Sequence, residues 1–138
     1  MSRVLAIDYG TKRVGIAVSD PLQIIATSLA TVHAKDVLTF LKDYTKKENV
    51  ECFVVGEPKR FSNEPSEAEN YIKVFLKILA REFPEIPVKR VDERFTSKIA
   101  AKTILDSGVN KKSRQNKLLT DKISATLILQ TYLELKTK

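Results

Sequence analysis

The chain is short of the residues on which many active sites are built. Cys52 is its only cysteine and His33 its only histidine among 138 residues. A lone cysteine excludes an internal disulfide, and its place in an apolar run reads as a buried, reduced thiol. That scarcity argues against zinc centres made of cysteine and histidine, and against a serine or cysteine nucleophile working through a histidine base. No apolar run approaches the roughly 20 residues that cross a bilayer. Met1-Ser2-Arg3 leads directly into an apolar stretch, leaving no room for a signal peptide, so a cytoplasmic protein without a membrane partner is expected. Repeats, low-complexity stretches and an internal boundary are also missing, which points to one domain over residues 1–138.

Acids are in the minority. Lysine and arginine total 24 against 17 aspartates and glutamates, for a net charge of +7. Such an excess favours polyanions, nucleic acid above all, provided that a site agrees with it. At 43% hydrophobic and 30% charged, the chain has enough apolar residues for a core and a well-solvated surface.

The chain is organised around Val4-Leu5-Ala6-Ile7-Asp8-Tyr9-Gly10-Thr11-Lys12-Arg13-Val14-Gly15-Ile16-Ala17-Val18. Two apolar runs flank a tight turn, which reads as an antiparallel pair of strands with Asp8 at the tip of the first. The run from Val4 to Ile7 does not alternate with polar residues, so a strand covered on both faces is expected. A carboxylate ending such a strand needs compensation, either from turn amides or from a cation.

Pro21 breaks the second strand, and residues 22–32 read as a third strand or extended edge. Val37, Phe40, Leu41 and Tyr44 recur at helical spacing, with Asp36 placed to cap and Lys46-Lys47 at the C-terminal end. Glu51 to Gly56 is a buried-type strand, and Glu57 to Pro65 a loop. Ser66 and Glu69 match a capping box before a helix carrying Ala68, Ile72, Phe75, Leu76 and Leu79. Val88 to Glu93 is the last strand. A helix containing Ile99, Ala100, Ile104 and Leu105 follows, with Thr96 or Ser97 to start it and Gly108 to stop it. The final helix begins near Leu118, its apolar stripe being Ala125, Ile128, Leu129, Tyr132 and Leu135. Three strands, helix, strand, helix, strand, helices is the order of a mixed five-stranded sheet flanked by helices, with right-handed crossovers between its parallel strands. The ribonuclease H-like fold has that order.

Three acids fall at matching places: Asp8 at the end of the first strand, Glu93 at the end of the last, and Asp121 one turn before Ala125 on the final helix. Neighbouring strands lie roughly 5 Å apart, so their ends and an adjacent helix can share one cleft. Carboxylates so placed repel one another unless hard cations such as Mg2+ or Mn2+ join them. Each acid also has a plainer role: a turn bond for Asp8, a strand-end ion pair for Glu93, a helix-start charge for Asp121.

The string from Asp8 to Asp20 closely resembles the opening motif of the YqgF family, the Holliday-junction-resolvase-like proteins also called pre-16S rRNA nucleases. Val54-Val55-Gly56, Asp92-Glu93-Arg94-Phe95-Thr96-Ser97 and the stretch from Asp121 to Gln130 are similar to its later blocks. The resemblance covers nearly the whole chain. It implies an α/β ribonuclease H-like fold and a metal-dependent nuclease site, with the family's acids on Asp8, Glu93 and Asp121. One block departs: Gly56-Glu57-Pro58 stands where the family commonly has Gly-Leu-Pro, so Glu57 is either a further ligand or a loop acid, the latter being favoured.

Lys12, Arg13, Lys59, Arg60 and Arg94 are expected around the acidic strand ends, and Lys111, Lys112, Arg114 and Lys117 just before Asp121. Basic groups there suit a phosphate backbone, in structured RNA or branched DNA. The expected activity is phosphodiester hydrolysis, in processing of the 5′ end of pre-16S rRNA, with junction resolution as the alternative. A resolvase that cuts symmetrically would call for a homodimer. Two rivals remain at this level: an ATP-binding protein of the actin and sugar-kinase type, which begins with a similar strand and Gly-Thr turn, and a non-catalytic RNA-binding assembly factor.

Overall fold

A computed structural model describes residues 2–58, 68–93 and 117–136, the side chains of residues 68 and 117–122 excepted. Its strands are β1 (Arg3–Tyr9), β2 (Arg13–Ser19), β3 (Ala26–His33), β4 (Val50–Glu57) and β5 (Val88–Asp92). Its helices are α1 (Val37–Lys47), α2 (Ala68–Glu82) and α3 (Lys117–Lys136). The strands form one sheet in the order β3-β2-β1-β4-β5. β1 pairs antiparallel with β2 and parallel with β4, and β4 pairs parallel with β5. The mixed five-stranded sheet expected from the sequence is the one observed.

Alternation along the central strands divides the core. Leu5, Ile7, Phe53 and Val55 pack with Leu41 of α1 and Ile72, Phe75 and Leu79 of α2. Val4, Ala6, Cys52, Val54 and Val91 turn to the other face and meet Ala125, Ile128, Leu129 and Leu133 of α3. Both faces of β1 and β4 are therefore covered, which is why their sequences run apolar without alternation. Burying each of the larger side chains stabilises the fold by about 1.5–3 kcal/mol.

Several local expectations are revised. The stripe of α3 continues through Leu133, while Leu135 is 53% exposed. A 3.6-residue repeat returns to the sheet four residues after Leu129, not six. Asp36 occupies the N-cap of α1 but makes no capping bond with its side chain. A short 3-10 turn, Ala34–Asp36, precedes the helix, and there His33 Nδ1 accepts from the Lys35 amide at 3.2 Å. The Glu69 carboxylate at the start of α2 has a partner that the sequence reading did not include, Arg90 of β5, which leaves the capping-box expectation itself untouched. Glu57 is the last residue of β4 rather than the first of a loop. The expected helix around Ile99 to Leu105, its signals Thr96, Ser97 and Gly108, and Ser66 of the capping box lie outside the described residues.

Candidate nuclease site

β1, β4 and β5 are parallel, so their C-terminal ends come out on one edge of the sheet. Register pairs Ile7 with Val55, and Gly56 with Val91. Alternation then assigns the faces. Asp8 follows Val4 and Ala6, Gly56 follows Cys52 and Val54, and Glu93 follows Val91, all positions on the α3 side. Asp8, Gly56 and Glu93 thus stand side by side on three strand ends.

Gly56 makes room for the site. A methyl group added at Gly56 would lie 3.0 Å from Glu93 Oε1, 3.1 Å from its carboxyl carbon and 2.7 Å from Ile128 Cδ1. The Glu93 carboxyl therefore rests on a bare stretch of β4 backbone beneath α3. Burial is the main reason that its pKa is pushed up to about 7, and the negative charge of Asp8 adds to the shift. Arg90 opposes it, while Glu69 and Asp92 reinforce it. A carboxyl whose proton affinity is raised by burial and by a neighbouring carboxylate forms the electrostatic environment that a hard cation relieves.

Asp121 belongs to α3, in its second turn, and its side chain lies outside the described residues. Among the described residues, no group of at least three metal-ligating side chains is assembled. The donors that are described, Asp8 and Glu93, offer the carboxylate oxygens that Mg2+ or Mn2+ takes, in a cradle that leaves Gly56 without a side chain, so they fit such an ion.

Glu57 is on the opposite face. It follows Phe53 and Val55, which pack toward α1 and α2, and its Oε2 lies 3.7 Å from Arg90 Nη1. That arrangement separates it from Asp8 and Glu93, although it is a strand residue and not the loop acid expected.

The β1–β2 turn borders the acids. Gly10 is required there, because a Cβ would come within 2.6 Å of the Arg13 carbonyl oxygen. The Lys12 carbonyl accepts from the Ala34 amide at 2.9 Å, tying the turn to the end of β3. Gly10, Thr11, Lys12 and Arg13 line a cleft of about 240 Å³. Lys12 is exposed and Arg13, the first residue of β2, is half-buried. Lys59, Arg60, Arg94, Lys111, Lys112 and Arg114 lie outside the described residues, as does the side chain of Lys117.

Reading the sequence alone missed the role of Gly56 and the engagement of Glu69 by Arg90. A glycine inside an otherwise branched strand was the available signal for the first, since it marks close approach of another group. The second joins residues 21 apart in the chain, and no local pattern announces it.

Acids gathered at parallel strand ends of this mixed sheet place the chain in the class of resolvase-like ribonuclease H folds. Thermus thermophilus RuvC in complex with a Holliday junction substrate superposes with a TM-score of 0.61, at 17% identity, over 99% of this chain and 98% of that one. The fowlpox virus resolvase in complex with Holliday junction DNA also gives 0.61, at 14% identity and 99% of each chain. More particularly, the chain belongs to the RuvX family, described as Holliday junction resolvase, whose family model matches residues 2–135. A relative from Bacteroides thetaiotaomicron is 56% identical over 136 residues, covering 99% of each protein, and one from Christiangramia forsetii is 54% identical over 133 residues, covering 96% of this chain and 98% of the relative. Both bear the name "Putative pre-16S rRNA nuclease". Membership in this family sets aside the actin and sugar-kinase reading of the Gly-Thr turn.

Proposed function

We propose that the chain is a nuclease that hydrolyses nucleic-acid phosphodiester bonds, with pre-16S rRNA as its substrate and ribosome biogenesis in the cytoplasm as its setting. The names of its relatives support the substrate. No described helix is long and apolar enough to cross a membrane. The observation that carries the reading is the Glu93 carboxyl, held on Gly56 within the field of Asp8 at the ends of parallel strands.

In this reading Asp8, Glu93 and Asp121 hold Mg2+ or Mn2+. Position 121 precedes Ala125 by four residues and Ile128 by seven, and both of those are buried against the sheet, so helical repetition brings Asp121 to the same side of α3. Bound ions in such a site activate a water molecule and stabilise the leaving oxygen. Asp8 and Glu93 orient the donor oxygens from two rigid strand ends. With burial and Asp8 raising its pKa to about 7, Glu93 binds a proton in competition with the ion, and that proton must leave before the oxygen can ligate. Lys12 and Arg13, beside the turn cleft, grip phosphates next to the scissile bond. Lys59, Arg60, Arg94, Lys111, Lys112, Arg114 and Lys117 are the further cationic residues assigned to phosphate contacts in this reading.

Junction resolution is the second reading, favoured by the likeness to RuvC in complex with a Holliday junction substrate. It would require a homodimer that presents two sites. The test is cleavage of pre-16S rRNA and of a four-way junction by purified protein with Mg2+ or Mn2+, against Asp8→Asn. Cleavage of the RNA by the wild type and not by the variant is the expected result. Unchanged cleavage by Asp8→Asn refutes the site. RNA binding without cleavage, retained when all three acids are replaced, makes the protein a non-catalytic assembly factor.

A further inference from the structure

Arg90 joins three elements behind the acidic edge. Its Nε donates to the Val55 carbonyl at 3.1 Å, and Nη2 donates to the Gly56 carbonyl at 3.0 Å. Nη2 also donates to Glu69 Oε2 at 3.2 Å, and Nη1 lies 3.0 Å from Glu69 Oε1. Glu69 is in the first turn of α2 and its side chain is only 5% exposed. Glu57, the last residue of β4, is the more distant fourth partner at 3.7 Å. A planar guanidinium is suited to this work, since its donors are fixed in one fork while a lysine would offer a single point charge.

The bonds fall at a telling place. Gly56 has no side chain with which to lock its position, yet its backbone is the surface on which Glu93 rests. Arg90 fixes that backbone from the opposite face of the sheet, through the Gly56 carbonyl itself. We propose that Arg90 is a positioning residue for the acidic site: its fork clamps the end of β4 to β5 and to α2, so that the Glu93 carboxyl is presented beside Asp8. This inference rests on the reading of Asp8 and Glu93 as the active acids.

The test separates positioning from stability. Arg90→Met leaves a buried Glu69 carboxylate without its partner, which is strongly destabilising in itself. The double variant Arg90→Met/Glu69→Gln removes both charges and should melt within about 3 °C of the wild type. It is nevertheless expected to bind Mn2+ about tenfold more weakly by calorimetry, and to lose about tenfold in kcat with KM within about twofold, as losses behind a metal site do. Arg90→Lys keeps a positive charge for Glu69 but lacks the fork, and should fold normally with a similar defect. Wild-type Mn2+ affinity and kcat in a stably folded double variant, or in Arg90→Lys, overturn the proposal. If Mn2+ binding survives Asp8→Asn, the acid site itself is wrong, and Arg90 is then judged by amide hydrogen exchange at Gly56 and Val91. Faster exchange in Arg90→Lys supports the clamp, and unchanged exchange overturns it.

Discussion

Glu93 occupies the space that a side chain at position 56 would fill. Its Oε1 would lie 3.0 Å from a methyl group there, and the neighbouring Ile128 methyl would be closer still, at 2.7 Å. Both obstacles are side-chain ends, so Gly56→Ala can fold by pushing them aside. The expected cost is about 1–3 kcal/mol of stability from overpacking. Displacing the carboxyl is the larger effect, expected to lower kcat by about 10²-fold. Urea unfolding and steady-state cleavage on the same preparation check the two numbers, and an active Gly56→Ala protein would show that Glu93 does not need this seat.

Stability without metal should depend on pH through Glu93. Its carboxyl is raised from 4.5 to about 7 in the folded protein, by burial and then by Asp8. The folded state therefore binds the proton more tightly than the unfolded state. Glu93 costs nothing below about pH 4.5, becomes unfavourable as the pH rises toward 7, and exerts its full cost above that. Glu93→Gln should be more stable than wild type at pH 8, by up to about 3 kcal/mol, and equal to it at pH 4. Urea titrations in a chelator at both values measure the difference. A gap independent of pH would contradict the assignment.

Metal binding should reverse that cost. A ligating Glu93 must be deprotonated, so Mn2+ affinity is expected to rise between pH 6 and pH 8, with about one proton released per site at the lower value. At a free ion concentration about 100-fold above Kd, the ion should add about 2.7 kcal/mol to unfolding. Asp8→Asn removes one ligand and one of the charges that raise the Glu93 pKa, so it should lose the metal protection and shift the pH dependence downward. Calorimetry in buffers of different ionisation enthalpy counts the protons.

Cys52 should be inert in the native protein. It is 3% exposed, burial raises its pKa, and its thiol faces the Tyr132 hydroxyl at 3.8 Å. Thiolate is the reactive form, so a disulfide reagent is expected to modify it only at the rate of unfolding. Labelling followed by mass spectrometry across a urea series tests this, and rapid modification in buffer would place the thiol elsewhere.

Much was legible in the sequence because it is written in local patterns. The unalternating runs in β1 and β4 announced strands covered on both faces, and the spacing of Ile72, Phe75 and Leu79 announced α2. Parallel neighbours followed from strand and helix order, and Asp8 and Glu93 stood out as acids ending apolar strands. Tertiary structure decided what depends on residues far apart in the chain. It put Glu57, one residue after Gly56, on the opposite face from Glu93, because side chains alternate along a strand. It brought Arg90 of β5 to the Glu69 carboxylate at the start of α2, because a nearly buried carboxylate requires a charged partner. It also made Gly56 a seat rather than a gap, since only the closeness of β5 and α3 brings Glu93 and Ile128 over it.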